Sequence, residues 1–240
     1  LRALRFAAVF GFEVEPETDR AIRKKRGLLS RISAERIFSE LKKLLAADCP
    51  SKILINYREV FEIVIPECFS GTSFSEANMK AADIVADKPF LRLAAVLGAA
   101  EDTGIIMRRL KSDNETRKRV ADVCKAVKQP PVTDRIAARQ MIRQCGAATA
   151  AAAAELKRAY AQAAGDAAAA EKKSEEELRG VIGRGDCCTL GGMAVDGGDL
   201  LGLGIEGQRI GFTLNCLLDG VISEDIPNER DALLRAAKTI

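Results

Sequence analysis

The chain has 240 residues, of which 48% are hydrophobic and 30% charged, and its formal net charge is +3. This balance is typical of a globular chain with one large domain or two to three small helical units, and it excludes a disordered one. The absence of histidine excludes Ser–His and Cys–His nucleophile pairs, histidine-liganded zinc and histidine general bases.

The seven cysteines are odd in number and form no C-x-x-C pair, which indicates free thiols in a reducing cytosol. No apolar run is long enough to predict a membrane span. We therefore expect a cytoplasmic protein without membrane contact.

The first helix is predicted from the run Leu1 to Ala8, which is rich in Leu and Ala, and it should end at Gly11. No Ser, Thr, Asp or Asn precedes this run to cap its N–H groups, so we expect the cap and first turn to lie upstream. Pro16 predicts the start of a second helix, which ends near Lys25.

The middle of the chain reads as a series of helices. Ser33 predicts a cap for a helix over residues 34–45. The stretch 53–65 ends with strand propensity, but its surroundings favour a helix followed by an extended link into Pro66, and residues 69–74 predict a loop. Further helices are expected at about 76–86, 89–97, 101–110, 114–127, 133–145 and 147–164.

The last third of the chain is rich first in alanine and then in glycine. The alanine-rich stretch 147–170 favours an exposed, slender helical arm. A charged helix is expected at 171–177, followed by glycine-punctuated helices near 199–201, 210–222 and 227–238. The run Gly202-x-Gly204-x-x-Gly207 follows no strand, so it fails as a dinucleotide-binding fingerprint.

Positive charge is concentrated in two stretches, Arg20 to Arg26 and Arg108 to Arg119. Clustered cations on two helices could follow a phosphate backbone, or they could form solvated helix faces. Charge alone leaves both interpretations open.

Four blocks of sequence resemble, in the same order, the class II tRNA nucleotidyltransferases. These are the CCA-adding enzymes, which share ancestry with bacterial poly(A) polymerases. The first block contains the R-A-x-R-F pattern, and the second is similar to the motif I-S-x-E-R-I-x-x-E-L. The blocks are Leu1–Thr18, Ile32–Leu41, Ile106–Val120 and Met193–Arg230.

The resemblance implies an all-α, elongated fold of many helices with a neck (1–62), a body (63–165) and a C-terminal tail (166–240). It implies the RNA-binding part of an enzyme that adds CCA to tRNA 3′ ends from CTP and ATP without a template. The alternatives are a fragment of a poly(A) polymerase and a helical scaffold with no catalytic role.

The resemblance also implies site residues. Arg2 and Arg5 would support the nucleotide, and Glu35 and Arg36 would brace the turn that presents the base-reading helix. The residues expected to bind RNA, at the acceptor stem and T-arm of tRNA, are Arg23, Lys24, Arg108, Arg109, Lys111, Asn114, Lys118 and Arg119.

No catalytic or metal-binding residue is expected in this chain. In the family, Mg²⁺ binds a head domain, and an E-D-x-x-R motif that reads the base would end one residue before Leu1. We therefore expect the chain to be inactive alone, to bind neither Mg²⁺ nor CTP or ATP by itself, and to bind no DNA. The metal phosphohydrolase motif of some relatives is excluded as well, since Gly98-Ala99-Ala100 stands where it would be.

Overall fold

The computed structural model describes residues 1–86 and 88–240. These residues form sixteen α-helices and three short 3₁₀ helices, and no strand occurs among them. The all-α class expected from the sequence is confirmed. The helices are α1 Arg2–Phe10, α2 Pro16–Lys25, α3 Ala34–Leu45, α4 Pro50–Asn56, α5 Arg58–Val64, α6 Pro66–Phe69, α7 Glu76–Ile84, α8 Pro89–Leu97, α9 Thr103–Arg109, α10 Asn114–Val127, α11 Arg135–Cys145, α12 Ala147–Ala163, α13 Ala169–Arg184, α14 Gly197–Leu201, α15 Gln208–Ile222 and α16 Arg230–Ala237. The 3₁₀ helices are Arg26–Arg31, Gly71–Ser73 and Leu190–Gly192.

The chain divides into two compact units. Unit 1 comprises Leu1–Pro130 and Ala152–Glu171, and unit 2 comprises Pro131–Ala151 and Lys172–Ile240. The division therefore falls inside α12 and α13. The expected boundaries of neck, body and tail, at residues 62 and 165, stay a prediction.

Unit 1 is built around α8, in which every residue from Leu91 to Leu97 is buried. The apolar side chains of this helix pack in one cluster with residues of α1, α3, α5 and α10. Arg92 is also buried, and its Nη1 donates hydrogen bonds to the carbonyls of Leu45 and Ala47 at 2.6 Å each. A helix end leaves its last carbonyls without backbone partners, so this arginine ties the end of α3 to α8.

Unit 2 has a smaller apolar cluster formed by α14, α15 and α16. Its fully buried members include Leu200, Leu217 and Leu233. Asp196 begins α14 with a reciprocal capping box, in which its carboxylate accepts from the N–H of Asp199 and its own N–H donates to the Asp199 side chain.

Several predicted boundaries are confirmed and one predicted cap is wrong. Gly11 ends α1 in the left-handed conformation with a φ of 68°, and Pro16 begins α2. Ser33 occupies the N-cap position of α3, but its side chain makes no capping hydrogen bond. This turn is exposed, so water can satisfy the free N–H groups instead.

The expectation of an exposed alanine-rich arm is wrong for much of α12. Ala150, Ala152, Ala153, Ala154 and Ala159 are buried. A methyl side chain lets helices approach closely, so a run of alanines can form a packed helix face as readily as a solvated one.

The glycine-rich region is also more helical than the sequence predicted. α13 continues to Arg184 and includes Gly180 and Gly183, so the expected helix at 171–177 is too short. The connection between α14 and α15 contains Gly202, Gly204 and Gly207. A helix rather than a strand precedes these glycines, which agrees with the rejection of a dinucleotide-binding fingerprint.

Candidate RNA-binding surface

The turn between α9 and α10 is fixed by hydrogen bonds on both sides. Ser112 donates from its backbone N–H and its Oγ to the carbonyl of Met107, at 3.0 and 2.9 Å. Asp113 caps α10 by accepting from the N–H of Thr116 at 2.7 Å, and this bond holds the pKa of Asp113 below its usual range. Lys111 lies between these anchors with a positive φ of 56°, and its side chain is exposed.

Three of the predicted RNA-binding residues near this turn form no ion pair within residues 1–86 and 88–240. All three are exposed. A surface cation without an internal partner keeps its charge available to a phosphate group. The three, which we name the turn cations, are Arg108, Lys111 and Lys118.

Two other predicted residues of this region have partners inside unit 1. Arg109 donates two hydrogen bonds to the carboxylate of Glu67, at 2.5 and 2.7 Å. Burial acts to raise the pKa of Glu67, but the hydrogen bonds and charge of Arg109 outweigh it and lower that pKa. Asn114 accepts a hydrogen bond from Arg117 at 2.6 Å through its Oδ1. Arg109 thus joins α9 to α6 with its charge already compensated.

The predicted residues of α2 divide in the same way. Lys24 is exposed and forms no ion pair with any described residue. Arg23 instead donates to both carboxylate oxygens of Asp19, at 3.0 and 3.2 Å, and to Glu59 at 2.5 Å. Its guanidinium carbon lies 4.7 Å from the ring centroid of Tyr57. Arg23 therefore fastens α2 to α5.

The two arginines of α1 differ in burial. The Nε of Arg5 lies 2.8 Å from a carboxylate oxygen of Glu40, and the two side chains are only 14% and 19% exposed. The guanidinium of Arg5 also lies 3.9 Å from the ring centroid of Phe6. Arg2 is exposed, and its guanidinium is 5.7 Å from the same ring.

An exposed row of aromatic rings on and beyond α1 was missed by sequence reasoning. Phe6, Phe10 and Phe12 stack in order, with centroid distances of 5.8 and 5.5 Å. Their exposed fractions are 36%, 57% and 66%. The spacing of Phe6 and Phe10 was a signal, because residues four apart lie on the same face of a helix. Phe12 follows Gly11, beyond the end of α1, so the helical repeat does not predict its position.

Glu35 and Arg36 lie in the first turn of α3, and both are exposed. Neither side chain makes a hydrogen bond or an ion pair within the described part of the chain. The bracing role that the resemblance implies for them stays a prediction.

A cluster of charges in unit 2 was also missed. Asp186 accepts hydrogen bonds from Arg135 at 2.8 and 3.1 Å and from Arg139 at 3.1 Å. Glu224, which has a positive φ of 67°, lies 3.1 and 3.2 Å from the same two arginines. Hydrogen bonds from Arg135 and two further arginines hold the pKa of Asp186 well below its usual range. The third arginine is Arg184, whose Nε lies 3.3 Å from Asp186. The cluster therefore joins three arginines and two carboxylates of unit 2 by ion pairs, which indicates a role in stability.

The described residues contain no group of three or more His, Cys, Asp or Glu side chains placed to hold a metal ion. In the same ranges, no helix combines the length and the apolar character that crossing a bilayer requires. The seven cysteines are free thiols. Among the described residues, the turn cations and Lys24 are exposed charges that form no ion pair.

Two family models match the chain. One, described as "Probable RNA and SrmB- binding site of polymerase A", matches residues 11–69. The other, described as "tRNA nucleotidyltransferase domain 2 putative", matches residues 88–237, which is more than half of the chain. The structure defines an all-α fold, and both descriptions name proteins that act on RNA. The chain belongs to the tRNA nucleotidyltransferase family, that of the CCA-adding enzymes.

Curated relatives match over short segments. The CCA-adding enzymes of Lactococcus lactis subsp. cremoris (strain MG1363) and Bacillus subtilis (strain 168) are each 51% identical over 45 residues, which is 19% of this chain and 11% of those proteins. That of Streptococcus suis (strain 05ZYH33) is 50% identical over 48 residues, or 20% of this chain and 12% of that protein.

The fold is similar to one in a solved structure, the crystal structure of the Bacillus stearothermophilus CCA-adding enzyme in complex with CTP. The TM-score is 0.73, and the sequences are 21% identical. The match covers 99% of this chain and 60% of that chain. At this identity the likeness shows the shared all-α fold.

Proposed function

We propose that this chain holds tRNA while the full-length enzyme adds CCA to the tRNA 3′ end from CTP and ATP. The observation that carries the proposal is the presence of three cations without ion-pair partners among the described residues, Arg108, Lys111 and Lys118, at a turn fixed by hydrogen bonds. Folded RNA is recognised mostly through shape and phosphate contacts, which require charge on a rigid backbone. The acceptor stem and T-arm are the expected contacts.

The residues with internal partners have a supporting role in this proposal. We infer that three of them, Arg23, Arg109 and Asn114, position the helices that carry Lys24 and the turn cations. Because these side chains are already bonded within the chain, they contribute less to RNA contact than the turn cations do. Arg119 has a separate environment beside Phe90, with its guanidinium carbon 4.0 Å from the ring centroid.

Nucleotide support is assigned to α1. Arg5 is oriented by its pair with Glu40, and Arg2 is open to solvent, so Arg2 is the better placed of the two to meet a phosphate. Glu35 and Arg36 would brace this region from the first turn of α3.

We assign the Mg²⁺ of nucleotidyl transfer to the head domain that the resemblance implies for the full-length enzyme. In the proposed function the chain positions RNA, and the metal-assisted step belongs to other residues of the enzyme. Free thiols support a location in the reducing cytoplasm, where tRNA is matured.

Salt-dependent binding tests the proposal. The chain should bind tRNA that lacks its CCA end, with affinity that falls as salt concentration rises, and it should bind a DNA duplex of equal length more weakly. Equal affinity for the DNA, or affinity that salt does not change, would favour a helical scaffold. Tighter binding to an unstructured poly(A) oligomer than to tRNA would favour the alternative of a poly(A) polymerase, the enzyme to which the family model over residues 11–69 refers.

A further inference from the structure

A cavity of about 460 Å³ lies in unit 1 where the last turn of α3 meets the first turns of α8 and α10. Its volume is in the range of small-ligand sites, roughly 300–1,000 Å³. The part of its lining used here consists of Lys42, Lys43, Ala46, Pro89, Phe90 and Arg119, and one carboxylate, that of Glu115, lines it as well.

Three cations from two helices face this cavity. Lys42 and Lys43 form no ion pair among the described residues, and the Nζ of Lys42 lies 4.8 Å from the ring centroid of Phe38. Arg119 is 3.8 Å from Glu115, but their side chains are 53% and 82% exposed, so this pair is weak. Lysines in the last turn of a helix are favoured by its dipole. That preference does not explain why α10 brings a third cation to the same cavity.

The same cavity offers an aromatic surface. Phe90 is partly buried, and the guanidinium carbon of Arg119 lies 4.0 Å from its ring centroid. Ala46 and Pro89 add apolar surface beside the ring. Phenylalanine rings and arginine guanidinium planes are both surfaces on which nucleobases stack.

We propose that this cavity binds one unpaired nucleotide of RNA, with its phosphate at Lys42, Lys43 and Arg119 and its base against Phe90. A phosphate is an anion and a base is a flat, largely apolar ring, which are the two features that the lining complements. A base within a duplex is paired and stacked, so it cannot enter. The proposal rests on the proposed function, and it adds a site that distinguishes unpaired from paired RNA.

Three RNA probes test this with the whole chain. They are a blunt RNA hairpin, the same hairpin with a short single-stranded 3′ overhang, and a third in which the overhang sugars carry no bases. The overhang should tighten binding about tenfold over the blunt hairpin, and removal of its bases should abolish most of that gain.

Variants locate the effect. Phe90→Leu keeps apolar volume but removes the ring, and Lys43→Gln removes one charge from an exposed side chain. Both should weaken binding of the overhang probe several-fold and leave the blunt hairpin unchanged. Lys52→Gln, an equal loss of charge at an exposed residue of α4 that does not line the cavity, is the matched control and should change neither.

Two results would overturn the nucleotide site. One is equal affinity of the wild-type chain for the hairpin with an ordinary overhang and the hairpin with a base-free overhang. This comparison uses the wild-type chain alone, so it does not depend on whether a variant folds. The other is a loss in Lys43→Gln that is the same factor for blunt and overhang probes, since this would describe a general electrostatic surface. Failure of the wild-type chain to bind tRNA or any of these probes would instead overturn the proposed function itself.

Discussion

Gly98 lies directly against the hydroxyl of Tyr160, such that a methyl group at position 98 would stand 2.0 Å from that oxygen. The hydroxyl is also within hydrogen-bond distance of the carbonyls of Ala94 and Ala95, at 3.2 and 2.9 Å. Burial raises the pKa of Tyr160, so the phenol stays protonated and can donate. Gly98 is therefore the residue that lets α12 approach the end of α8 in unit 1.

Substitution Gly98→Ala should destabilise the chain by about 1–3 kcal/mol, because the added methyl group overpacks a filled site. Gly98 has a helical φ of −61°, so without the contact alanine would be tolerated or even stabilising. The measurement is urea unfolding in two backgrounds. In a Tyr160→Phe chain the hydroxyl is gone and the same substitution should cost clearly less. An equal cost in both backgrounds would show that the hydroxyl is not the obstacle.

Lys111→Gly should stabilise the fold and weaken RNA binding at the same time. Lysine at a φ of 56° carries left-handed strain of about 1 kcal/mol that glycine relieves. The same substitution removes one turn cation. Thermal unfolding and a tRNA-binding titration check the two effects, and Lys111→Ala is the matched control because it loses the charge but keeps the strain. If Lys111→Gly bound tRNA as tightly as wild type, Lys111 would have no part in the surface.

Arg5→Gln should cost about 1–3 kcal/mol of unfolding free energy, since it leaves the half-buried carboxylate of Glu40 without its partner. Arg2→Gln should change stability by no more than about 0.5 kcal/mol, because Arg2 is exposed. Denaturant unfolding of the two variants side by side gives the comparison. Equal costs would mean that the Arg5–Glu40 pair adds nothing to the attachment of α1.

Asp186 should make the stability of the chain sensitive to acid. Its pKa in the folded chain lies below the ordinary aspartate value of 3.8, so the unfolded state takes up a proton first as the pH falls. The stabilisation is complete above about pH 5 and is lost progressively below about pH 4. Asp186→Asn should thus lower the unfolding free energy at pH 7, and its difference from wild type should shrink by pH 3. A difference that stays constant across this range would exclude the charge of Asp186 as the cause.

Much of the fold follows from local signals. α10 spans Asn114–Val127 as the sequence predicts, because Asp113 can cap it and apolar residues such as Val120 recur at helical spacing. Pro89 fixes the start of α8. The extended link expected before Pro66 is wrong, because only Ile65, with a φ of −136° and a ψ of 67°, separates α5 from α6. The following proline keeps Ile65 out of the helical conformation, but it does not require an extended segment. The break at Tyr57 does not follow from local signals. The sequence predicts one helix in this stretch, but the structure has α4 and α5, and no neighbouring residue signals the break between them.

The candidate site is predicted less well than the fold. Sequence alone separates Lys24 from Arg23 and Arg108 from Arg109 poorly. Asp19, four residues from Arg23, is a local signal, but the other partners of Arg23 and Arg109 are distant in the chain. Glu59 lies 36 residues from Arg23 and Glu67 lies 42 from Arg109. The cavity with Lys42 and Arg119 depends in the same way on tertiary packing, which a local pattern does not encode.

The most direct test of tRNA holding is the salt dependence of tRNA binding by the variant Arg108→Gln/Lys111→Gln/Lys118→Gln. If these residues contact phosphates, affinity at low salt should fall, and the slope of log affinity against log salt should become shallower by about one for each lost contact. Lys52→Gln/Lys80→Gln/Lys125→Gln, which removes the same charge from exposed residues elsewhere in unit 1, should keep most of the wild-type slope. The same slope for both variants would contradict the assignment of tRNA binding to the turn between α9 and α10.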